Sequence, residues 1–193
     1  MTEQTVFQQK VSAFLPHMDI RFSEPMAKHT SFKIGGGAEV MAFPKNAQEL
    51  SEVMKASALL DCTPAILGAG TNVLAPDNGI NGLVICLKDC LNGMEQLNET
   101  TIRVMGGVTM TRAAVYACNL GLGGLEFAHG IPGTIGGGVY MNAGAYGGEM
   151  SQVVTLVEGY DMTGEPFQYN HYEMQFGHRH TRLMDEGKLV THV

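Results

Sequence analysis

Two glycine-rich stretches and one short cationic run hold the residue types from which a binding or catalytic site could be built. The first stretch, Ile66-Leu67-Gly68-Ala69-Gly70-Thr71-Asn72-Val73, continues directly from a short apolar run that ends at Leu67. Glycines lack a Cβ, so such a bend reaches positive φ and leaves its N–H groups approachable. Successive N–H groups then converge into an anion nest, to which the side chains of Thr71 and Asn72 would add donors. The three-glycine dinucleotide fingerprint is not met, because Val73 stands at the third position. Pro76, Gly79 and Gly82 also exclude the long helix that should follow it. These residues alone leave a phosphate cradle and a plain tight turn both open.

The second stretch runs Gly123-Gly124-Leu125-Glu126-Phe127-Ala128-His129-Gly130-Ile131-Pro132-Gly133-Thr134-Ile135-Gly136-Gly137-Gly138 and leads into Val139-Tyr140-Met141-Asn142-Ala143-Gly144-Ala145-Tyr146-Gly147-Gly148. Each glycine costs backbone entropy on ordering, so this run is expected where the backbone must approach something closely. Ile131, Ile135, Val139 and Met141 argue against a solvent-swollen linker, which would be Ser-rich and polar. Pro132 at a helix start, with Thr134 beside it, would aim free N–H groups at an anion. The densest charge cluster is Phe176-Gly177-His178-Arg179-His180-Thr181-Arg182-Leu183. A surface ion pair of Arg179 with Asp185 or Glu186 is the plain structural reading of that arginine. His178-x-His180 has no third ligand at a convincing spacing, so no metal site is expected. His129 reads as packed or capping, Lys33 as a phosphate contact or a solvated side chain, and the thirteen methionines as core filler.

Taken together, LGAGTNVL at 67–74, GIPGTIGGGVYMNAGAYG at 130–147 and HTSFKIGGGA at 29–38 resemble the motifs of the UDP-N-acetylenolpyruvoylglucosamine reductases, also called UDP-N-acetylmuramate dehydrogenases. The match keeps its order from about residue 29 to about 190, and the PGT…GG…MNAGAYG run is its most specific part. The resemblance implies an α+β, two-lobed vanillyl-alcohol-oxidase/PCMH-type FAD-binding fold, with a βαβ first lobe and a second lobe of mixed sheet with helices. It implies non-covalent FAD, with Gly68, Ala69, Gly70, Thr71 and Asn72 holding the pyrophosphate. Gly133, Thr134, Gly136 and Gly137 would line the same cleft, and Asn142, Ala143 and Gly144 would lie near the isoalloxazine. NADPH would be the hydride donor and an enolpyruvyl UDP-sugar the substrate, in peptidoglycan precursor synthesis. Arg179 falls on the Arg of the family's Tyr-Arg-x-Ser-x-Phe pattern and is implied as catalytic. A guanidinium keeps its proton, so it would clamp the enolpyruvyl carboxylate and the developing enolate. His178, Thr181 and Leu183 replace the Tyr, Ser and Phe of that pattern.

In the family, a Ser that protonates the product and a Glu that assists it lie in a C-terminal substrate domain. No segment after Val193 supplies them, so the expectation is a partial enzyme that does not turn over by itself and binds FAD weakly or not at all: a lead segment at 1–28 and an FAD-binding region at 29–193, with lobes at about 29–91 and about 98–193. Two rival readings remain. One is a sugar or alcohol oxidase of the same fold; many tether the flavin through a His, but Thr71 and Asn72 stand where it would be expected. The other is a flavin-binding module without catalysis.

Local patterning supplies the elements that must position these residues. A weak helical period covers residues 5–15, and Pro16 and Pro25 then interrupt. A strand is expected at 39–43, and a helix capped by Asn46 and Glu49 with Leu50, Val53, Met54 and Ala58 on its apolar face. Apolar runs at 64–67 and 83–87 read as strands, completing a βαβ unit whose flanking strands should be parallel. In the second half, alternation at 101–105 predicts a strand, and Thr109 or Thr111 caps a helix that stops at Gly121. Runs at 153–162 and 166–169 flank a hairpin turn, and 188–193 reads as a strand.

Composition bounds the remainder. Of 193 residues, 45% are hydrophobic and 16% charged, which suits a packed core. Twelve Lys and Arg against nineteen Asp and Glu leave a net charge of −7, which argues against a nucleic-acid coat. Four cysteines without a CxxC pair read as reduced, buried thiols, and no signal peptide or membrane-length apolar run is seen, so a cytoplasmic location is expected.

Overall fold

In the computed structural model, which describes residues 4–193, the chain divides into two units. The first runs through Cys90 and includes Met162–Gly164; the second comprises Leu91–Asp161 and Glu165–Val193.

The first unit opens with α1 (Val6–Phe14), whose N-cap Thr5 accepts the Gln8 N–H while the Gln8 side chain accepts the Thr5 N–H. A four-stranded sheet follows, built from β1 (Ile20–Pro25), β2 (Gly37–Ala42), β3 (Ala65–Leu67) and β4 (Ile80–Cys86) in the order β1-β2-β4-β3. β1, from the lead segment, pairs antiparallel with β2. Pro25 masks β1 in the sequence, but it closes an edge strand, where a missing N–H breaks no ladder. β4 is parallel to both β2 and β3 and separates them, so the two flanks of the expected βαβ unit share a sheet without touching. Leu83, Val84, Ile85 and Cys86 are all buried, and a strand apolar on both faces belongs in the middle of a sheet.

Helix α2 (Ala47–Leu59) starts at Asn46, whose side chain accepts the Glu49 N–H at 2.9 Å. Glu49 reaches back to the Lys45 N–H rather than to that of Asn46. Leu50, Val53 and Met54 are buried as expected, but Ala56 and Ser57 complete the face and Ala58 is exposed. The buried face ends at 57 rather than 58, and Ser57 tolerates burial because its hydroxyl donates to the Met54 carbonyl at 2.7 Å.

The second unit is antiparallel in every named ladder among the described residues, where a mixed sheet was expected. β5 (Met94–Asn98) pairs with β6 (Thr101–Val104), and α3 (Met110–Asn119) is capped by Thr109. The glycine-rich stretch then forms a 3₁₀ turn at Glu126–Gly130, α4 (Ile135–Tyr140) and a small hairpin of β7 (Gly144–Ala145) with β8 (Gly148–Glu149). β9 (Leu156–Tyr160) lies between β10 (Pro166–Asn170) and β11 (Leu189–His192), and α5 (Arg182–Glu186) precedes β11. Val108, Met110, Ile135, Val139, Met150, Val157, Met174 and Leu183 form its core.

Met26, Met41 and Met54 fill the first unit as Met110, Met150 and Met174 fill the second, in line with the reading of methionine as filler. The cysteines are free; Cys86 and Cys90 are buried and Cys62 half-buried, but Cys118 on α3 is exposed, contrary to expectation. Among the described residues, no helix is long and apolar enough to cross a membrane.

Asn46 carries the start of α2 through one side-chain bond to the main chain. Asn46→Ala is expected to destabilise the chain by about 1 kcal/mol, read as a lower urea midpoint with an unchanged denaturant slope.

Candidate functional site

In the first unit the candidate residues follow β3 at its carboxyl end. Gly68 and Ala69 are half-buried and Gly70 is buried. None of the hydrogen bonds among the described residues uses the N–H of Gly68, Ala69 or Gly70, so three successive donors stand without a protein acceptor. A main-chain donor left in that state costs free energy unless water or a ligand meets it. The carbonyl of Gly70 accepts the Ser31 N–H at 3.0 Å, and this fixes the bend. Gly70 has φ +66°, and a Cβ there would stand 2.0 Å from the His29 carbonyl oxygen. Glycine is required at 70 by the 29–31 segment behind the loop, which the 29–38 motif had marked without revealing why. That segment is itself anchored, because His29 Nε2 lies 2.9 Å from Oε1 of the buried Glu24. The His29 contact holds the Glu24 carboxyl below its ordinary value, against the opposing effect of burial, with Lys28 and Arg21 adding to the fall. Lys33 is exposed.

The second stretch behaves otherwise. Thr134 caps α4 by accepting the Gly137 N–H, but the Ile135 N–H donates to the Val108 carbonyl at 2.7 Å. The Gly136 N–H donates to the Gly106 carbonyl at 2.8 Å, and the Gly138 N–H to the Thr134 carbonyl at 2.8 Å. The free N–H groups expected at this helix start are therefore engaged within the protein. The tight fit also explains a glycine: a Cβ on Gly138 would meet Met110 Sδ at 2.6 Å. Gly137 is the exposed position of this turn, Gly133 and Gly136 are half-buried, and Thr134 is buried.

Arg179, Asn142 and Gly144 come together in a cleft of about 310 Å³ within the second unit, shared with Glu149 and His178. Ala143 does not line it; this residue is buried, with its N–H on the Gly138 carbonyl and its carbonyl accepting the Met150 N–H. Arg179 sits on a tight turn closed by the Gly177 N–H on the His180 carbonyl at 2.9 Å. Its φ is +53°, a conformation costing a non-glycine residue on the order of 1–3 kcal/mol. Arg179 Nη2 donates to the Gly144 carbonyl at 3.1 Å. The two carboxylates expected to compete for it are engaged elsewhere: Asp185 pairs with His180, and Glu186 accepts from Arg182 and from the Tyr169 hydroxyl. Thr181 is fully buried and its hydroxyl donates to the Tyr140 carbonyl at 2.6 Å, which makes it a fastening for the turn rather than a group facing a ligand.

Glu149 was not among the expected residues, although it directly follows the AYGG motif that leads into the cleft. The Ser151 hydroxyl donates to its carboxylate. That bond, then one from Asn142, holds the Glu149 carboxyl below its ordinary value of 4.5; burial opposes the fall, and the charges of His178 and Arg179 add to it. The cleft thus sets a persistent cation beside a carboxylate that stays ionised near neutrality.

Residues 38–168 match the model of a family described as an FAD binding domain. The chain belongs to that FAD-binding family. The UDP-N-acetylenolpyruvoylglucosamine reductase of Lactobacillus acidophilus is 40% identical over 173 residues, which are 90% of this chain and 57% of that relative. The crystal structure of a UDP-N-acetylenolpyruvylglucosamine reductase from Thermus caldophilus is similar at a TM-score of 0.71 and 28% identity, over 92% of this chain and 60% of that one. The 6-hydroxy-D-nicotine oxidase of Arthrobacter nicotinovorans, at 15% identity and a TM-score of 0.65, shares the fold alone, over 92% of this chain and 42% of its own. The resemblance read from the three motifs and the oxidase-type FAD fold are both borne out, while the chain spans about 57% of the length of the reductase it matches. The chain's own residues fit the cofactor's diphosphate, since a row of unpaired N–H groups at a strand end suits an anion of several acceptor oxygens.

The Ser151 bond to Glu149 carries a pH signature. A carboxyl lowered in the folded state adds stability above its unfolded value, and loses it as pH falls through the folded one. Ser151→Ala is expected to raise the Glu149 midpoint toward 4.5 in a carbon-13 NMR titration and to reduce the loss of stability in acid.

Proposed function

We propose that this chain holds FAD non-covalently for the NADPH-dependent reduction of UDP-N-acetylenolpyruvoylglucosamine to UDP-N-acetylmuramate, a cytoplasmic step of peptidoglycan precursor synthesis. The observation that carries the reading is the row of unpaired N–H groups at Gly68, Ala69 and Gly70, supported by the family match and by the likeness to the reductases. Those three groups, with Thr71 and Asn72 next to them, would hold the diphosphate.

FAD, when bound, supplies the hydride chemistry between a nicotinamide donor and the enolpyruvyl double bond. The protein's own part centres on Arg179. A guanidinium has five N–H donors and keeps its charge at any working pH, so one donor on Gly144 leaves others for a carboxylate. Its role is to orient the enolpyruvyl carboxylate and to stabilise charge developing beside it. Arg179 donates no proton in this scheme, and Thr181, committed to the Tyr140 carbonyl, is not a donor either.

A flavin oxidase of the same fold is the competing reading. Acid precipitation separates the two: a colourless pellet with FAD in the supernatant supports non-covalent attachment, and a yellow pellet supports a tethered flavin.

Two substitutions test the assignments separately. Gly70→Ala forces a Cβ into the His29 carbonyl and is expected to weaken FAD binding at least tenfold in a fluorescence-quenching titration. Arg179→Lys should leave that titration and the bleaching of flavin by NADPH unchanged while weakening binding of the enolpyruvyl substrate, read as a perturbation of the flavin spectrum, about tenfold, because Lys lacks the planar fork that matches a carboxylate. Equal FAD affinity in Gly70→Ala and the unsubstituted chain would falsify the cradle.

A further inference from the structure

We infer that Asn142 is a positioning residue for Arg179, holding the turn that carries the guanidinium in register with the carbonyl it grips. The inference deepens the proposed role of Arg179 and rests on it. Asn142 is only 2% exposed and its backbone lies at φ +45°, so neither its polar side chain nor its conformation is explained by solvent. Its Nδ2 donates to the Gly177 carbonyl at 2.9 Å, and its Oδ1 accepts the Ser151 N–H at 2.9 Å. One buried amide therefore bridges two segments separated by 35 and 9 residues in sequence.

Gly177 is the first residue of the Arg179 turn, and its carbonyl also closes that turn by accepting the His180 N–H at 3.3 Å. Two residues beyond Asn142, the Gly144 carbonyl accepts from Arg179 Nη2. Segment 142–144 thus holds the turn at its base through Asn142 and at its tip through Gly144. The other end of the same amide holds Ser151, which bonds Glu149. Asn142 sets both the cationic and the anionic flank of the cleft. Asparagine suits the place because it tolerates the left-handed conformation and has a donor and an acceptor on one planar group. Arg179, strained and with no carboxylate ion pair within 4 Å among the described residues, is fixed by its bond to Gly144 and by the turn that carries it.

The test uses the full chain with nitrogen-15 arginine. The Arg179 side-chain signals, identified by their loss in Arg179→Lys, should show slow solvent exchange. In Asn142→Gly, which keeps the backbone conformation accessible, that exchange should become at least tenfold faster. Unchanged exchange in a folded Asn142→Gly chain overturns the inference. Should that variant not fold, the unsubstituted chain decides: a scalar coupling across Asn142 Nδ2–H to the Gly177 carbonyl carbon supports the inference, and its absence overturns it. In FAD-loaded protein, Asn142→Gly should weaken binding of the enolpyruvyl substrate, read as a perturbation of the flavin spectrum, at least tenfold in the Arg179 background and by less than twofold in the Arg179→Lys background; equal losses in both overturn it. FAD affinity, measured in parallel, isolates this outcome from a failure of the cofactor assignment.

Discussion

A main-chain N–H can serve either the protein or a ligand, and the site readings here depend on which of the two each glycine segment does. At α4 the early donors go to Val108, Gly106 and Thr134, so the helix start is welded into its own unit. At 68–70 the donors meet no acceptor among the described residues, because β3 ends and the main-chain tie from Ser31 uses the Gly70 carbonyl instead. Both stretches are rich in glycine, yet they need it for different reasons. One lets backbone pack on backbone and on Met110; the other lets the loop pass close to the His29 carbonyl while its N–H groups stay unused among the described residues.

This difference marks where sequence patterns stop being informative. Caps were legible because they are local: Asn46 accepts the N–H three residues on, as its position suggests, and Thr109, one of the two caps left open, does the same. The β9–β10 hairpin was legible for the same reason. Strand neighbours were not, since the pattern at 83–87 shows a buried strand but not which strands it separates. β1 was hidden by a proline whose tolerance depends on its being at an edge, a tertiary property. The motif at 29–38 stood out by composition, but its work behind Gly70 appears only when His29 and Ser31 are seen against the loop.

The cleft of the second unit follows a similar logic with side chains. Arg179 could be singled out from the charge run, and its freedom from Asp185 and Glu186 depended on where α5 would place those carboxylates. Glu149 and Ser151 gave no comparable signal, and Asn142 stood out in its motif but not as a bridge, because that role lies in contacts across 9 and 35 residues. Asn142 and Arg179, which both line this cleft, have left-handed backbone. Such strain persists only where surrounding bonds over-determine the geometry, and the bonds to Gly177, Gly144 and Tyr140 do so here.

The placing of β4 has a consequence for how the molecule comes into being. Its centre strand is the last of the four to leave the ribosome, so β2 and β3 must wait, unpaired with each other, until Cys86 has emerged. Before that moment only the β1–β2 hairpin and the two helices α1 and α2 can assemble, with an apolar sheet edge exposed. Nascent chains halted within the 68–79 loop would therefore be the ones most in need of a chaperone, and that loop is flanked on both sides by its sheet only after the strand beyond it docks.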